Sequence, residues 1–316
     1  MAVYTTIDDS GLFMETVLYS GDGAATQAIT TAFQPDFSWI KDRGVTAAHT
    51  LQDAVRGFAE DKKLSSNSAD AQNDASGATW GDYGSVTAVG ATSFTTTLGS
   101  QTPYQTNASG SNYVAWNWKA GTTSGISGGT ITPSGYSFNT TSGFSIITYT
   151  GTGSLGTIPH GLGVVPKVII CKKLNSADGW FSYHEPLGNT GRLMLDNTNA
   201  AAYNSGYWNS TTPTSAVFTV VSNGGNNASG DTYVAYCFAD VAGYSKFSSY
   251  IGNGDADGTF VYTGFKPSFV VCKKSSGTED WGMWGFYPAY NVLDRFLYGN
   301  GNNAEYSISP GDFLSN

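Results

Sequence analysis

Tyr149-Thr-Gly151-Thr-Gly153, followed by Pro166-Lys-Val-Ile-Ile-Cys-Lys172-Lys173, has a counterpart on each side. Upstream stands Tyr19-Ser-Gly21-Asp-Gly23, then Pro35-Asp-Phe-Ser-Trp-Ile-Lys41. Downstream stands Tyr250-Ile-Gly252-Asn-Gly254, then Pro267-Ser-Phe-Val-Val-Cys-Lys273-Lys274. The Tyr-to-Pro offsets are 16, 17 and 17 residues, and a Lys sits six residues after each Pro. Self-similarity at a shared spacing marks a repeat architecture.

A second block follows the same rule. Asn107-Ala-Ser-Gly-Ser-Asn-Tyr113-Val-Ala-Trp116-Asn-Trp118 returns as Asn227-Ala-Ser-Gly-Asp-Thr-Tyr233-Val-Ala-Tyr236-Cys-Phe238. A third match joins Lys63-Leu-Ser-Ser-Asn67, Arg192-Leu-Met-Leu-Asp-Asn197 and Arg295-Phe-Leu-Tyr-Gly-Asn300. Two full units of roughly 100 residues emerge, a normal domain size. The third unit lacks its Tyr-Val-Ala block.

Within the units the apolar period is two. Phe37 and Trp39 match Val168 and Ile170, then Phe269 and Val271. Val114, Trp116 and Trp118 match Val234, Tyr236 and Phe238. Such alternation reads as strands with one face in a core. One stretch competes: Leu51, Ala54, Val55 and Phe58 fall at helical spacing between His49 and Leu64. Its counterpart, Trp180-Phe-Ser-Tyr-His-Glu-Pro, reads as strand then turn, and Gly57 weakens a helix. Strand–loop–strand is expected there, with a short helical turn as the alternative.

Forty Gly and many aromatics suit short strands joined by tight turns. The expected fold is all-β: serial antiparallel β-sandwich repeats of jelly-roll or lectin-like type, the third incomplete. The expected boundaries are an N-terminal arm (1–15), repeat one (16–121), a Gly/Ser/Thr-rich linker (122–142), repeat two (143–241) and partial repeat three (246–316). A freer joint is expected after repeat one than after repeat two.

Charged residues are only 12%, against roughly 25% in typical globular proteins. The net charge is −9 and no Lys/Arg cluster exceeds a pair, which argues against a surface that tracks nucleic-acid phosphates. No run reaches the roughly 18 apolar residues of a membrane span, and the N-terminus lacks the pattern of a signal peptide. A soluble protein made in a cytoplasm is expected. Cys171 and Cys272 occupy the place that Ile40 fills in repeat one, so buried free thiols are expected rather than a disulfide framework.

Candidate chemistry is sparse. Gly151-Thr-Gly153-Ser-Leu-Gly156 has dinucleotide-type spacing, but Thr-Ile-Pro159-His-Gly161 follows where a helix is required, so a hairpin turn is the better reading. Asp255-Ala-Asp257-Gly258 hints at a calcium loop, yet Lys266 stands where the bidentate Glu belongs. His49, His160 and His184 show no metal-ligand spacing. No metal site, cofactor or enzyme activity is expected. Trp281-Gly-Met-Trp284-Gly-Phe-Tyr287-Pro-Ala-Tyr290 is rich enough in aromatics to stack on sugars or seal an interface. Trp281, Trp284, Tyr287 and Tyr290 are therefore the candidate binding residues, against a core-edge alternative in which Trp281 aligns with Trp180. Lys41, Lys172 and Lys273 are expected to end strands with the amine in solvent.

Taken together, Tyr-x-Gly-x-Gly, Pro-Asp-Phe-x-Trp-Ile-Lys, Tyr-Val-Ala-Trp-x-Trp-Lys-Ala and Tyr-Val-Ala-Tyr-Cys-Phe-Ala resemble a repeat family encoded by tailed phages of marine bacteria. The resemblance covers about residues 1–316. It implies a non-enzymatic virion protein of the fibre, spike or decoration type, assembled in the host cytoplasm and acting outside the cell. It further implies a homo-oligomer, with a trimer as the family-level expectation, and contacts with other virion proteins. A glycan-binding adhesion module and a polysaccharide-depolymerising tailspike are the alternatives. The third repeat needs a closing Tyr-rich strand. The chain is expected either to continue past Asn316 or to receive that strand from a neighbouring subunit.

Overall fold

The computed structural model describes residues 5–75, 78–255, 258–285, 295–307 and 313. It is all-β apart from short 3₁₀ turns. Repeat one holds β1 (Met14–Ser20), β2 (Thr26–Thr30), β3 (Phe37–Asp42), β4 (Thr50–Asp53), β5 (Val86–Gly90), β6 (Ser93–Thr97) and β7 (Asn112–Trp118). They form a sheet of order β1-β7-β3-β4 facing a smaller sheet β2-β6-β5. A 3₁₀ turn at Glu60–Lys62 leads to an antiparallel bridge between Leu51 and Leu64, so the contested stretch is strand, loop and strand.

Repeat two adds β8 (Gly135–Asn139), β9 (Phe144–Thr150), β10 (Gly156–Pro159), β11 (Val168–Lys173), β12 (Phe181–His184), β13 (Gly191–Met194), β14 (Ala202–Tyr203), β15 (Val217–Val220) and β16 (Thr232–Phe238). Its large sheet runs β14-β13-β12-β11-β16-β9-β8, against the pair β10-β15. The segment 122–142 thus carries an edge strand as well as loop. Registers repeat between units: Tyr19 opposes Tyr113 as Tyr149 opposes Tyr233, and Trp39 opposes Trp116 as Ile170 opposes Tyr236. Repeat three holds β17 (Val270–Lys273), β18 (Trp281–Trp284), β19 (Arg295–Tyr298) and β20 (Tyr306–Ser307), in that order in one sheet.

The large sheets of repeats one and two are packed on both faces. Ile40, Tyr113 and Ala115 face the small sheet of repeat one, and Cys171, Tyr233, Ala235 and Cys237 that of repeat two. The other face, with Phe37, Trp39 and Trp116, joins Ile146, Val234 and Tyr236 of repeat two and Met283 and Leu297 of repeat three in one shared core. The repeats are therefore not beads in series; their large sheets converge. Phe37 lies 4.6 Å from Tyr236 by ring centroids, and Phe269 lies 5.3 Å from Trp116.

Strand pairing makes His49, Trp180 and Trp281 equivalent, each one residue before or at the start of the strand beside β3, β11 or β17. Each sends a ring nitrogen to a carbonyl of another repeat. Trp180 Nε1 donates to Ser65 O at 3.0 Å, and Trp281 Nε1 donates to Met194 O at 2.9 Å. His49 Nε2 lies 2.9 Å from Tyr298 O. Ser65, Met194 and Tyr298 are themselves equivalent. The contacts run from repeat two to one, three to two and one to three, which closes a ring.

Backbone bonds repeat the cycle. Asp178 N donates to Ala69 O, Glu279 N to Thr198 O and Ala47 N to Asn302 O, at 2.8–2.9 Å. Gln72 N donates to Leu174 O, Ala201 N to Ser275 O and Glu305 N to Arg43 O, all at 2.8 Å. A head-to-tail interface generates a closed ring when its rotation divides the circle. Here one chain holds the whole pseudo-threefold ring, so the joint after repeat one is as firmly bonded as the joint after repeat two.

Trp180 is fully buried. Trp180→Phe, which keeps most of the ring but removes the donor, should cost about 1 kcal/mol. Trp180→Ala should cost roughly 3–5 kcal/mol. Urea unfolding should show one transition shifted as a whole. A loss confined to repeat two, with repeat one unfolding at its original midpoint, would rule out the closed ring.

Candidate functional site

The conspicuous polar chemistry is at the joints. Asp53 and Arg56 are side-chain neighbours with only 0% and 2% exposure, and Arg56 Nε donates to Asp53 Oδ2 at 2.6 Å. Tyr236 of repeat two donates its hydroxyl to the same oxygen at 2.7 Å. Arg56 also reaches Gln72 Oε1 at 3.0 Å and the carbonyl of Lys62. Burial opposes the guanidinium charge, but the Asp53 carboxylate beside it wins and holds its pKa up. This network ties repeat two to repeat one from inside the shared core, where no substrate reaches it.

His49 plays the same part toward repeat three. Trp39 Nε1 donates to His49 Nδ1 at 2.7 Å, so Nε2 carries the proton and donates to Tyr298 O and Gly301 O. Burial, helped by the nearby Lys41 charge, lowers its pKa to about 3.

Lys41 and Lys172 correct the expectation of solvated amines: both are fully buried. Lys41 Nζ donates to the carbonyls of Asp42 and Val45. Lys172 Nζ donates to those of Ala69, Lys173 and Asp178, the first across the joint to repeat one. Burial pushes each pKa down to about 8. Lys273 makes the matching bonds to Lys274 O and Gly277 O but is only half-buried. Cys171 and Cys237 are buried free thiols; Cys272 is free but half-buried.

Of the candidate binding residues, Trp281 spends its ring nitrogen on the joint to repeat two. Trp284, three residues on, packs against Phe296 at 5.1 Å between ring centroids. Both are half-buried on β18. Tyr287 and Tyr290 lie outside the described residues, as does Asp257 of the calcium-like loop. Among the described residues no group of three or more His, Cys, Asp or Glu gathers as metal ligands would. None of the helical turns there is long and apolar enough to cross a membrane.

A surface cavity of about 370 Å³ opens on repeat two, lined by Asp178, Phe181, Arg192, Asn204, Tyr207 and Asn223 among others. The Arg192 guanidinium lies over the Tyr207 ring at 4.5 Å and the Phe181 ring at 5.1 Å. Sequence reading missed this site. In the sequence Arg192 aligns with Lys63 and Arg295 and so reads as framework, although strand pairing puts it level with Phe296; Tyr207 and Asn223 come from loops that do not repeat.

Fold and joints define a pseudo-threefold all-β repeat protein. The chain belongs to the family described as "Domain of unknown function (DUF7483)", which matches residues 9–316. No curated protein matches it. A solved structure titled "Crystal Structure of the STIV MCP" aligns at 12% identity and a TM-score of 0.22, covering 73% of this chain and 97% of that one.

The His49 geometry generates a pH dependence. Its folded pKa of about 3 lies below the ordinary 6.5, so the unfolded chain binds the proton first. The stability it contributes is present above about pH 6.5 and is lost as pH falls toward 3. Burial depresses His160 and His184 in the same direction, so all three histidines act together. Thermal melts at about pH 7 and about pH 4 should show a smaller loss for His49→Gln than for the wild type. An equal loss would exclude His49 as a contributor.

Proposed function

We propose that this chain is a non-enzymatic structural protein of a phage particle, serving as a tail fibre or a surface decoration. The observation that carries the reading is the closed ring: one face of each large sheet goes to a core shared by the three repeats, and backbone bonds cross every joint. Buried ionisable groups such as Asp53, Arg56, His49 and Lys172 serve joints rather than open clefts. The resemblance of the repeat blocks to phage virion proteins supplies the biological setting. Homo-oligomers, with a trimer as the symmetric choice for a fibre, and contacts with other virion proteins belong to the same proposal. Purified particles should contain the chain at fixed stoichiometry by mass spectrometry, and a density map should place a three-lobed block on the particle surface. Its absence from purified particles would sink the proposal.

The Arg192 cavity favours a second role on the same particle, gripping a host-surface glycan. Aromatic rings, an arginine and amide side chains around one concave site suit an acidic sugar. Glycosidic cleavage would use a pair of carboxylates, and of the residues lining this cavity Asp178 is the acid. Arg192→Ala should weaken binding to acidic host polysaccharide at least tenfold, with only the loss of about 0.5–1 kcal/mol in stability expected from its ring contacts. Undiminished binding would move the glycan site elsewhere.

A further inference from the structure

Repeat three retains the features that receive a closing strand in its neighbours. In repeat two, β16 lies between β9 and β11 and pairs with both. In repeat one, β7 lies between β1 and β3. Among the described residues β17 pairs with β18 alone, so the side that faces β7 or β16 in the other repeats is open. The far side of the gap is nevertheless in place. Tyr149 reaches across under β16 to put its hydroxyl 3.8 Å from Cys171 Sγ. Tyr250 puts its hydroxyl 3.5 Å from Cys272 Sγ, the equivalent atom. The same cross-gap contact holds with no described strand above it.

The glycines carry the second observation. A Cβ on Gly21 would collide with the Ala108 carbonyl, and one on Gly151 with the Ala228 carbonyl. A Cβ on Gly23 would lie 2.7 Å from Ser109 Cβ, and one on Gly153 would lie 2.8 Å from Ser229 Cβ. These glycines make room for the Asn-Ala-Ser-Gly turn that enters the closing strand. Gly252 and Gly254 occupy the same places in repeat three, and no described atom lies within 4 Å of a Cβ built on either. Among the described residues that space is unfilled.

The shared core carries the third. Phe37 of repeat one packs on Tyr236, the central-strand aromatic of repeat two, and Phe269 of repeat three packs on Trp116 of repeat one. The cycle leaves Val168 to meet the central-strand aromatic of repeat three. Val168 and Ile170 are only half-buried where Phe37 and Trp39 are buried, and Val271 on β17 is 39% exposed. Tyr250, whose hydroxyl meets Cys272, is also exposed.

We propose that repeat three is an acceptor site for one β-strand of the closing sequence that repeats one and two share, Asn-Ala-Ser-Gly-x-x-Tyr-Val-Ala-aromatic-x-aromatic. The strand enters antiparallel to β17, between it and the Tyr250 segment, a gap of two strand spacings or roughly 9.5 Å. Its backbone pairs with β17, its turn fills the space above Gly252 and Gly254, and its two aromatics cover Val168 and Val271. This is strand addition to a sheet edge, with main-chain bonds for affinity and side-chain pockets for register. It stands independently of any role on a particle.

The test uses the full chain and a synthetic peptide with the sequence of residues 107–118, which lacks cysteine. The peptide should bind at one to one and slow alkylation of Cys272 at least tenfold. Gly252→Val should abolish binding, because the new side chain meets the incoming turn. In the free protein that position is open, so the unfolding midpoint should not move. Failure of the peptide to bind overturns the proposal, as does equal binding by Gly252→Val, which would mark adhesion to exposed apolar surface. Self-association through β17 that persists in Gly252→Val would also overturn it, since a second copy would then be the occupant.

Discussion

A ring nitrogen reaching a carbonyl of the adjoining repeat holds this molecule in its shape. Trp180 to Ser65, Trp281 to Met194 and His49 to Tyr298 are one contact made three times. Trp180 and His49, both fully buried, exclude water from the carbonyls they bond, and the flanking backbone bonds fix the angle between neighbours. A hydrogen bond left unmade at such a place costs more than the bond itself contributes. The cycle is therefore hard to open at one joint without loosening the others. His49 shows that the geometry, rather than the indole, is what the position requires. It can substitute because Trp39 takes its other nitrogen and burial keeps it neutral.

Closing the ring takes the second face of the large sheets of repeats one and two out of water, and this explains the composition. A strand buried on one face offers half its residues to charge; β3 offers none and is buried throughout. Lys41 and Lys172 survive there because backbone carbonyls surround their amines. The low charged fraction follows from the architecture, with Ser, Thr, Asn and Tyr hydrogen-bonding in turns and joints. Tyr236 joins the Asp53–Arg56 pair in this way, so that the buried carboxylate is shared between two repeats.

Among the described residues the sheet of repeat three shows no central strand. Tyr250 and Cys272 touch in a half-open setting there, and Lys273 makes its bonds with less cover. The joints of repeat three are intact even so: Trp281, Glu279 and Glu305 all make their cyclic bonds. Ring closure and sandwich completion are thus separate requirements, met by different edges of the same sheet.

The sequence by itself determined the repeats and their main strands. Two spaced blocks locate β3, β7, β11 and β16, and the period of two assigns their faces. The same alignment favoured strand then loop for the helical-looking run after His49, because Trp180 and Trp281 hold its place elsewhere, and the run is β4 followed by turns. The equivalence of Trp281 with Trp180 was legible too, and it proved to be the key to the joint. Tertiary structure alone decided where the apolar face of each sheet goes. Alternation says that Phe37 and Trp116 are buried, but burial against the same repeat's second sheet and burial against another repeat give one pattern. It also decided the Arg192 cavity, whose walls come from loops without a repeat. Local pattern is set by which groups avoid water; the choice of partner depends on the rotation between repeats, and that angle is written only in long-range contacts.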